Sequence, residues 1–228
     1  DGSQPLQLVV AVDRSVGQAD WVQIRAAAIA LADAMRPQDR MAVYTFGAGV
    51  TLLQAVTSDM TAVKAALAAV EPQAPANGDP APRALHQAIL DSLNAADILP
   101  EGRRAVVVLS GGTDTLGQIP ATTLAQLLQD QDEIPLHLLA FGVDGNRAAT
   151  VAAFAQLTGG NALLVDGAGP LRSAAQTLAL LLQQGYRLDL QANLPADDRP
   201  HTLRVTLNAA GITATRELRM IPRPSRAR

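Results

Sequence analysis

The stretch Leu6 to Gly17, LQLVVAVDRSVG, constrains this chain more than any other. A continuous apolar run ends on an aspartate, and a loop of small residues then leads into a helical pattern. The run reads as a strand buried on both faces that delivers Asp13, Ser15 and Gly17 to its carboxyl end. Such a strand needs a sheet covered by helices on both sides, and open sheets of that kind take their ligands at the strands' carboxyl ends.

The rest of the chain supplies those layers. Residues 19–35 carry apolar side chains at helical spacing and stop before Pro37. Residues 40–46 and 50–56 read as a hairpin turned by Gly47 and Gly49. Thr57 or Ser58 is expected to cap a short helix through Val70, residues 71–82 form a Pro/Ala/Gly-rich loop, and a helix is expected from about Arg83 to Ala96. A second buried strand, 104–109, precedes the loop 110–117. Pro120 suits the first turn of a helix reaching about Gln131, and a strand over 134–141 follows. A helix over 146–157, a short strand over 162–165 and a helix over 171–184 complete the alternation. Strands separated by helices predict a doubly wound, mostly parallel α/β sheet. Past Gly185 the period becomes two, which predicts three short antiparallel strands beginning at Tyr186. The expected division is 1–185 as the α/β domain, 186–221 as an antiparallel β appendage and 222–228 as a tail.

Charge and composition remove several function classes. With 21 acids against 18 bases and a net charge of −3, the chain is too balanced for a nucleic-acid platform or a polybasic membrane surface. The absence of cysteine excludes disulfides, thiolate metal sites and a cysteine nucleophile. No stretch has the length and apolarity of a membrane span, so no direct membrane insertion is expected. The polar termini read as ends cut from a longer protein, and an exported or cell-surface setting in a bacterial-type protein is the leading expectation.

With these elements placed, residues 6 to about 184 resemble a von Willebrand factor type A domain. The resemblance rests on VVAVDRSVG at the first strand, DRMAVYTFG at the second, VVVLSGGTDT at the fourth, and Leu138 to Asn146 with Phe154 to Gly160 further on. It implies a doubly wound sheet with one antiparallel edge strand. It also implies a divalent ion, most often Mg²⁺, held by a DxSxS pattern, a distant Thr and an Asp in a T-D-G turn, hard oxygen ligands for a hard cation. Asp13 and Ser15 match the first two positions. The third is Gly17, the distant threonine position falls on Asp79, and the T-D-G turn is Ser110, Gly111 and Gly112. The remaining metal candidates are therefore Asp13, Ser15 and Asp79, a degenerate set expected to be empty. Asp114 matches a position that the family does not normally use as a ligand.

Other chemistry finds little support. GTDTLG at 112–117 approaches a phosphate loop, but Gln118 and Ile119 stand where Lys and Ser or Thr are needed. Neither Ser15 nor Ser110 has the flanks of a nucleophile elbow. His86, His137 and His201 fall on separate elements, and Trp21 reads as a core contact. The resulting expectation is a noncatalytic, metal-independent protein-interaction module, for adhesion or assembly, with no cofactor. Its partner would be a protein of unknown identity, met by a face made of Arg14, Ser15, Asp79, Asp114 and Asp144. The alternatives are a structural spacer in a larger surface or exported protein, and weak Mg²⁺-dependent ligand binding through the modified site.

Overall fold

All eight residues of the first strand, β1 (Leu6–Asp13), are buried, and their alternation sends side chains into two separate cores. The structure, a computed structural model, describes residues 4–73, 81–100, 102–131, 134–184, 201–209 and 212–220. In chain order β1 is followed by α1 (Gln18–Asp33), β2 (Arg40–Phe46), β3 (Val50–Thr57), α2 (Met60–Ala69), α3 (Leu85–Asp97) and β4 (Arg103–Ser110). Then come α4 (Ala121–Gln129), β5 (Leu136–Phe141), α5 (Gly145–Leu157), β6 (Ala162–Val165), α6 (Leu171–Gln184), β7 (His201–Ala209) and β8 (Ile212–Met220).

The main sheet has the order β3-β2-β1-β4-β5-β6. Every neighbouring pair is parallel except β2 with β3, which form the antiparallel edge expected from the sequence. Leu8, Val10 and Val12 face one layer, built with Trp21, Ile24 and Leu31 of α1, Val63 and Leu67 of α2, and Leu171 and Leu178 of α6. Val9 and Ala11 face the other, built with Leu85 and Ile89 of α3, Leu124 and Leu128 of α4, and Phe154 of α5. Strand order reverses between β1 and β4, since β2 lies on one side of β1 and β4 on the other. Sheets of this class open a crevice at that switch point, beyond the strands' carboxyl ends.

Buried carboxylates stand at both ends of β1. At its start Asp39, with no exposed surface, accepts from Leu6 N at 2.7 Å, Arg36 N at 2.9 Å and Gln183 Nε2 at 3.1 Å. It thus ties the β1 entry to the loop before β2 and to the end of α6. At its finish stands Asp13.

Three boundaries differ from the sequence expectation. The cap of α2 is Asp59, not Thr57 or Ser58: its carboxylate accepts from Thr61 N and Ala62 N, while Thr57 Oγ1 accepts from Asp59 N. The strand β5 starts at Leu136 instead of Ile134, after Pro135, which has no N–H to give to a ladder. The helix α3 starts at Leu85 instead of Arg83, because the backbone of Arg83 is engaged elsewhere.

The chain divides into two compact units, through Arg187 and from Leu188. In the second, β7 and β8 pair antiparallel, with Leu203 opposite Leu218 and Leu207 opposite Ala214. These are the second and third of the three expected strands. The first, from Tyr186, and the tail 222–228 lie outside the described residues.

His137 on β5 is buried, and burial lowers its pKa from 6.5 to about 4. Its Nδ1 accepts from Asn161 N at 3.1 Å, so the neutral ring is the form that the fold uses. The unfolded chain takes up this proton below pH 6.5 and the folded chain only near pH 4. The contribution is therefore complete above 6.5 and is lost at up to about 1.4 kcal/mol per pH unit as pH falls through that window. Urea unfolding at pH 7, 5.5 and 4.5 should show this decline, and His137→Gln should flatten it. An unchanged slope in the variant would contradict the assignment.

Candidate functional site

Asp13 and Ser110 end β1 and β4 side by side, so both reach the switch point as the sheet's register dictates. Asp13 has no exposed surface, and its carboxylate is saturated by this chain. Oδ1 accepts from Ser15 N at 2.9 Å and from Ser15 Oγ at 2.5 Å. Oδ2 accepts from Gly111 N at 2.9 Å and from Ser110 Oγ at 3.2 Å. The Arg83 Nε stands 2.6 Å from the same Oδ2 as an ion pair. That nitrogen also donates to Ser15 Oγ at 3.0 Å, and Arg83 Nη1 donates to the Thr113 carbonyl at 3.3 Å.

The backbone of Arg83 is held as firmly as its side chain. Its N–H donates to Thr115 Oγ1 at 2.8 Å, and its carbonyl accepts from Thr115 N at 3.0 Å. This engagement keeps Arg83 out of α3 and aims it across the sheet edge. The guanidinium packs tightly against Gly111 and at ordinary contact distance from Gly112. A Cβ at Gly111 would lie 3.2 Å from Arg83 Nη2, and one at Gly112 would lie 3.7 Å from Nη1.

The expected site residues meet different fates. Asp13 and Ser15 come together as foreseen, but both lie within a closed network, and Ser15 is only 4 % exposed. Asp79 lies outside the described residues. Asp114 serves the fold: its Oδ1 accepts from His86 N in the first turn of α3, and its Oδ2 accepts from Gly117 N at 2.7 Å. Asp144 is exposed at the start of α5, with no side-chain capping bond. Arg14 is half-buried beside the hairpin turn, its N–H on the Phe46 carbonyl and its carbonyl on Gln73 N. Gly17 precedes α1 and contributes no side chain. His86 packs edge-on against Phe154, with Nδ1 2.6 Å from the Ile119 carbonyl, while His137 lies on β5 and His201 on β7.

Arg83 is the residue that sequence reasoning missed. A signal was present: the stretch PAPRAL carries the one base in the loop before α3, and the turn expected to hold an acid carries Gly111. A lost acid and a gained base in two loops of one face belong together.

These donors as arranged do not fit a divalent ion. Both Asp13 oxygens are engaged, Gly17 and Gly111 offer no ligand, and a guanidinium stands against the one carboxylate. Among the described residues no group of three His, Asp or Glu side chains gathers to hold a metal. Also among them, no helix is long and apolar enough to cross a membrane.

The architecture is that of the von Willebrand factor type A fold. The chain is similar to a von Willebrand factor type A protein from Catenulispora acidiphila, at 14 % identity and a TM-score of 0.64, covering 79 % of this chain and 43 % of that one. It is also similar to BatB, a conserved hypothetical protein from Bacteroides thetaiotaomicron, at 15 % identity and a TM-score of 0.60, covering 80 % of this chain and all of that one. A third similar structure is proximal thread matrix protein 1 of the mussel byssus with a zinc-occupied metal-ion-dependent adhesion site, at 14 % identity and a TM-score of 0.59. That match covers 78 % of this chain and 48 % of the byssus protein. No family model matches the sequence, and no curated protein does.

Removing the carboxylate tests the network directly. Asp13→Ala leaves a largely buried guanidinium without its counter-charge and should cost about 3 kcal/mol or more in urea unfolding. Asp144→Ala, at an exposed position, should stay within about 0.5 kcal/mol of the parent. Equal effects of the two would mean that the Asp13–Arg83 pair carries no special weight.

Proposed function

We propose that this chain is a noncatalytic protein-interaction module, of the adhesion or assembly kind, that meets its partner at the carboxyl edge of the sheet and needs no metal to do so. The observation that carries the reading is the Asp13–Arg83 pair at the switch point. The place where a sheet of this class presents its ligand site holds an ion pair in the chain itself, and the hydroxyls of Ser15 and Ser110 are turned inward onto its carboxylate. The contact surface is what surrounds that pair: Asp144 at the start of α5, Arg14 beside the hairpin turn, and residues 81–84 just ahead of α3. Ser15 and Asp114 shape this surface from beneath. The partner is a protein, since a balanced charge offers nothing to nucleic acid.

Similarity to the byssus protein and to BatB supports the fold on which this reading rests, and the partner follows from neither name. A spacer role is the competing reading, favoured by the inward use of Ser15 and Asp114. A photo-crosslinking residue placed at Asp144, and in a second protein at Ile98, separates the two. Ile98 is 85 % exposed just past the end of α3, at the other edge of the sheet. With surface and soluble fractions of the source cells, position 144 should give a discrete protein adduct that persists in EDTA, and position 98 should give none. Adducts from neither position would favour the spacer. An adduct from 144 that EDTA abolishes would overturn metal independence while leaving the interaction in place.

A further inference from the structure

We propose that Arg83 is a resident cation: its guanidinium takes the place beside Asp13 that a divalent ion would need, and it ties the loops of this face together in the ion's stead. The claim concerns how the face is held, so it stands or falls separately from whether a protein docks there.

A carboxylate with no exposed surface needs a cation or dense hydrogen bonding to remain charged. Arg83 supplies the charge from a side chain that is itself only 13 % exposed, 2.6 Å from Oδ2. A metal ion in such a place joins loops by sharing ligands among them. Arg83 does the same with donors: Nε reaches Ser15 in the loop after β1, and Nη1 reaches Thr113 in the loop after β4. The residue itself lies just ahead of α3, so three connections close on one planar group. Its fixed fork of N–H donors suits this better than the point charge of a lysine.

The two arrangements compete for the same place. A side chain at Gly111 would start 3.2 Å from Nη2, 2.9 Å from Val16 Cγ1 and 3.1 Å from Phe141 Cζ. A side chain at that position therefore requires Val16, Phe141 and the guanidinium each to give by a few tenths of an ångström. A divalent ion on Asp13 would stand next to a fixed positive charge, which repels it at a distance where solvent screens little. The glycine at 111 and the arginine at 83 are two halves of one replacement.

Thermal unfolding in EDTA and in millimolar Mg²⁺ or Mn²⁺ tests this on the whole chain. The parent should melt at the same temperature in both. Arg83→Gln keeps much of the length and removes the charge; in EDTA it should melt on the order of 10 °C lower. It should regain roughly 5 °C when Mg²⁺ or Mn²⁺ is added, because Asp13 is then an uncompensated carboxylate that a cation can satisfy. The double variant Asp13→Asn with Arg83→Gln removes both charges and should fold without responding to either cation. If Arg83→Gln does not fold in EDTA, refolding that requires Mg²⁺ or Mn²⁺ supports the replacement equally. The proposal is overturned by an Arg83→Gln protein as stable as the parent, by one that neither cation restores, or by a parent that either cation stabilises.

Discussion

A carboxylate fixed at the end of a buried central strand has to be neutralised where it stands, and much of this face follows from that requirement. Asp13 cannot turn to solvent, because β1 is flanked by β2 and β4 and covered by helices on both sides. Its oxygens draw in Ser15 from the following loop, Ser110 and Gly111 from the end of β4, and Arg83 from ahead of α3. Each of these groups is then used again. Ser15 Oγ donates to the carboxylate and accepts from the guanidinium, and Ser110 Oγ donates to it and accepts from Gly112 N. Unpaired members of such a buried network are expensive, so its parts are conformationally coupled.

The opposite end of β1 solves a similar problem in another way. Asp39 is as buried as Asp13 but accepts from backbone amides of Leu6 and Arg36 and from the Gln183 amide. Leu6 and Gln183 belong to β1 and α6, and Arg36 to the short loop that leads into β2, so the contact clamps two packed elements and the turn between α1 and β2. At Asp13 the donors are Ser110 at the end of β4 and, from connecting loops, Ser15, Gly111 and Arg83. The carboxylate there joins three connections at the carboxyl end of the sheet.

How much of this was legible in the sequence depended on how local the cause was. The buried strand 104–109, the short strand 162–165 and the hairpin about Gly47 announce themselves through apolar runs and turn residues, and each lies where its pattern put it. The single antiparallel edge of the doubly wound sheet came from the resemblance, carried by VVAVDRSVG and VVVLSGGTDT, and the structure has it. The α2 cap was misplaced by one or two residues because Thr57, Ser58 and Asp59 are all good caps, and the choice among them rests on which carbonyl begins the helix. Arg83 was read as the first residue of a helix because its periodicity fits. What withdrew it was Thr115, 32 residues away, whose amide and hydroxyl take both of its backbone groups. Asp114 was placed on a binding face by its position in a loop, and the acceptance of His86 N and Gly117 N by its carboxylate could not be read there. Pairings of that kind are made by tertiary proximity and leave no periodic trace.

The attachment of the guanidinium to its own chain has one more consequence. A free ion occupies a site according to its concentration in the surroundings, and a medium poor in that ion empties it. A cation carried on a loop is present at an effective concentration fixed by the tether, and dilution does not lower it. Its cost is the ordering of that loop, met once when the chain folds. The occupancy of this site is thus governed by the local opening equilibrium of the segment bearing Arg83, and the composition of the medium enters only through the screening of a largely buried pair.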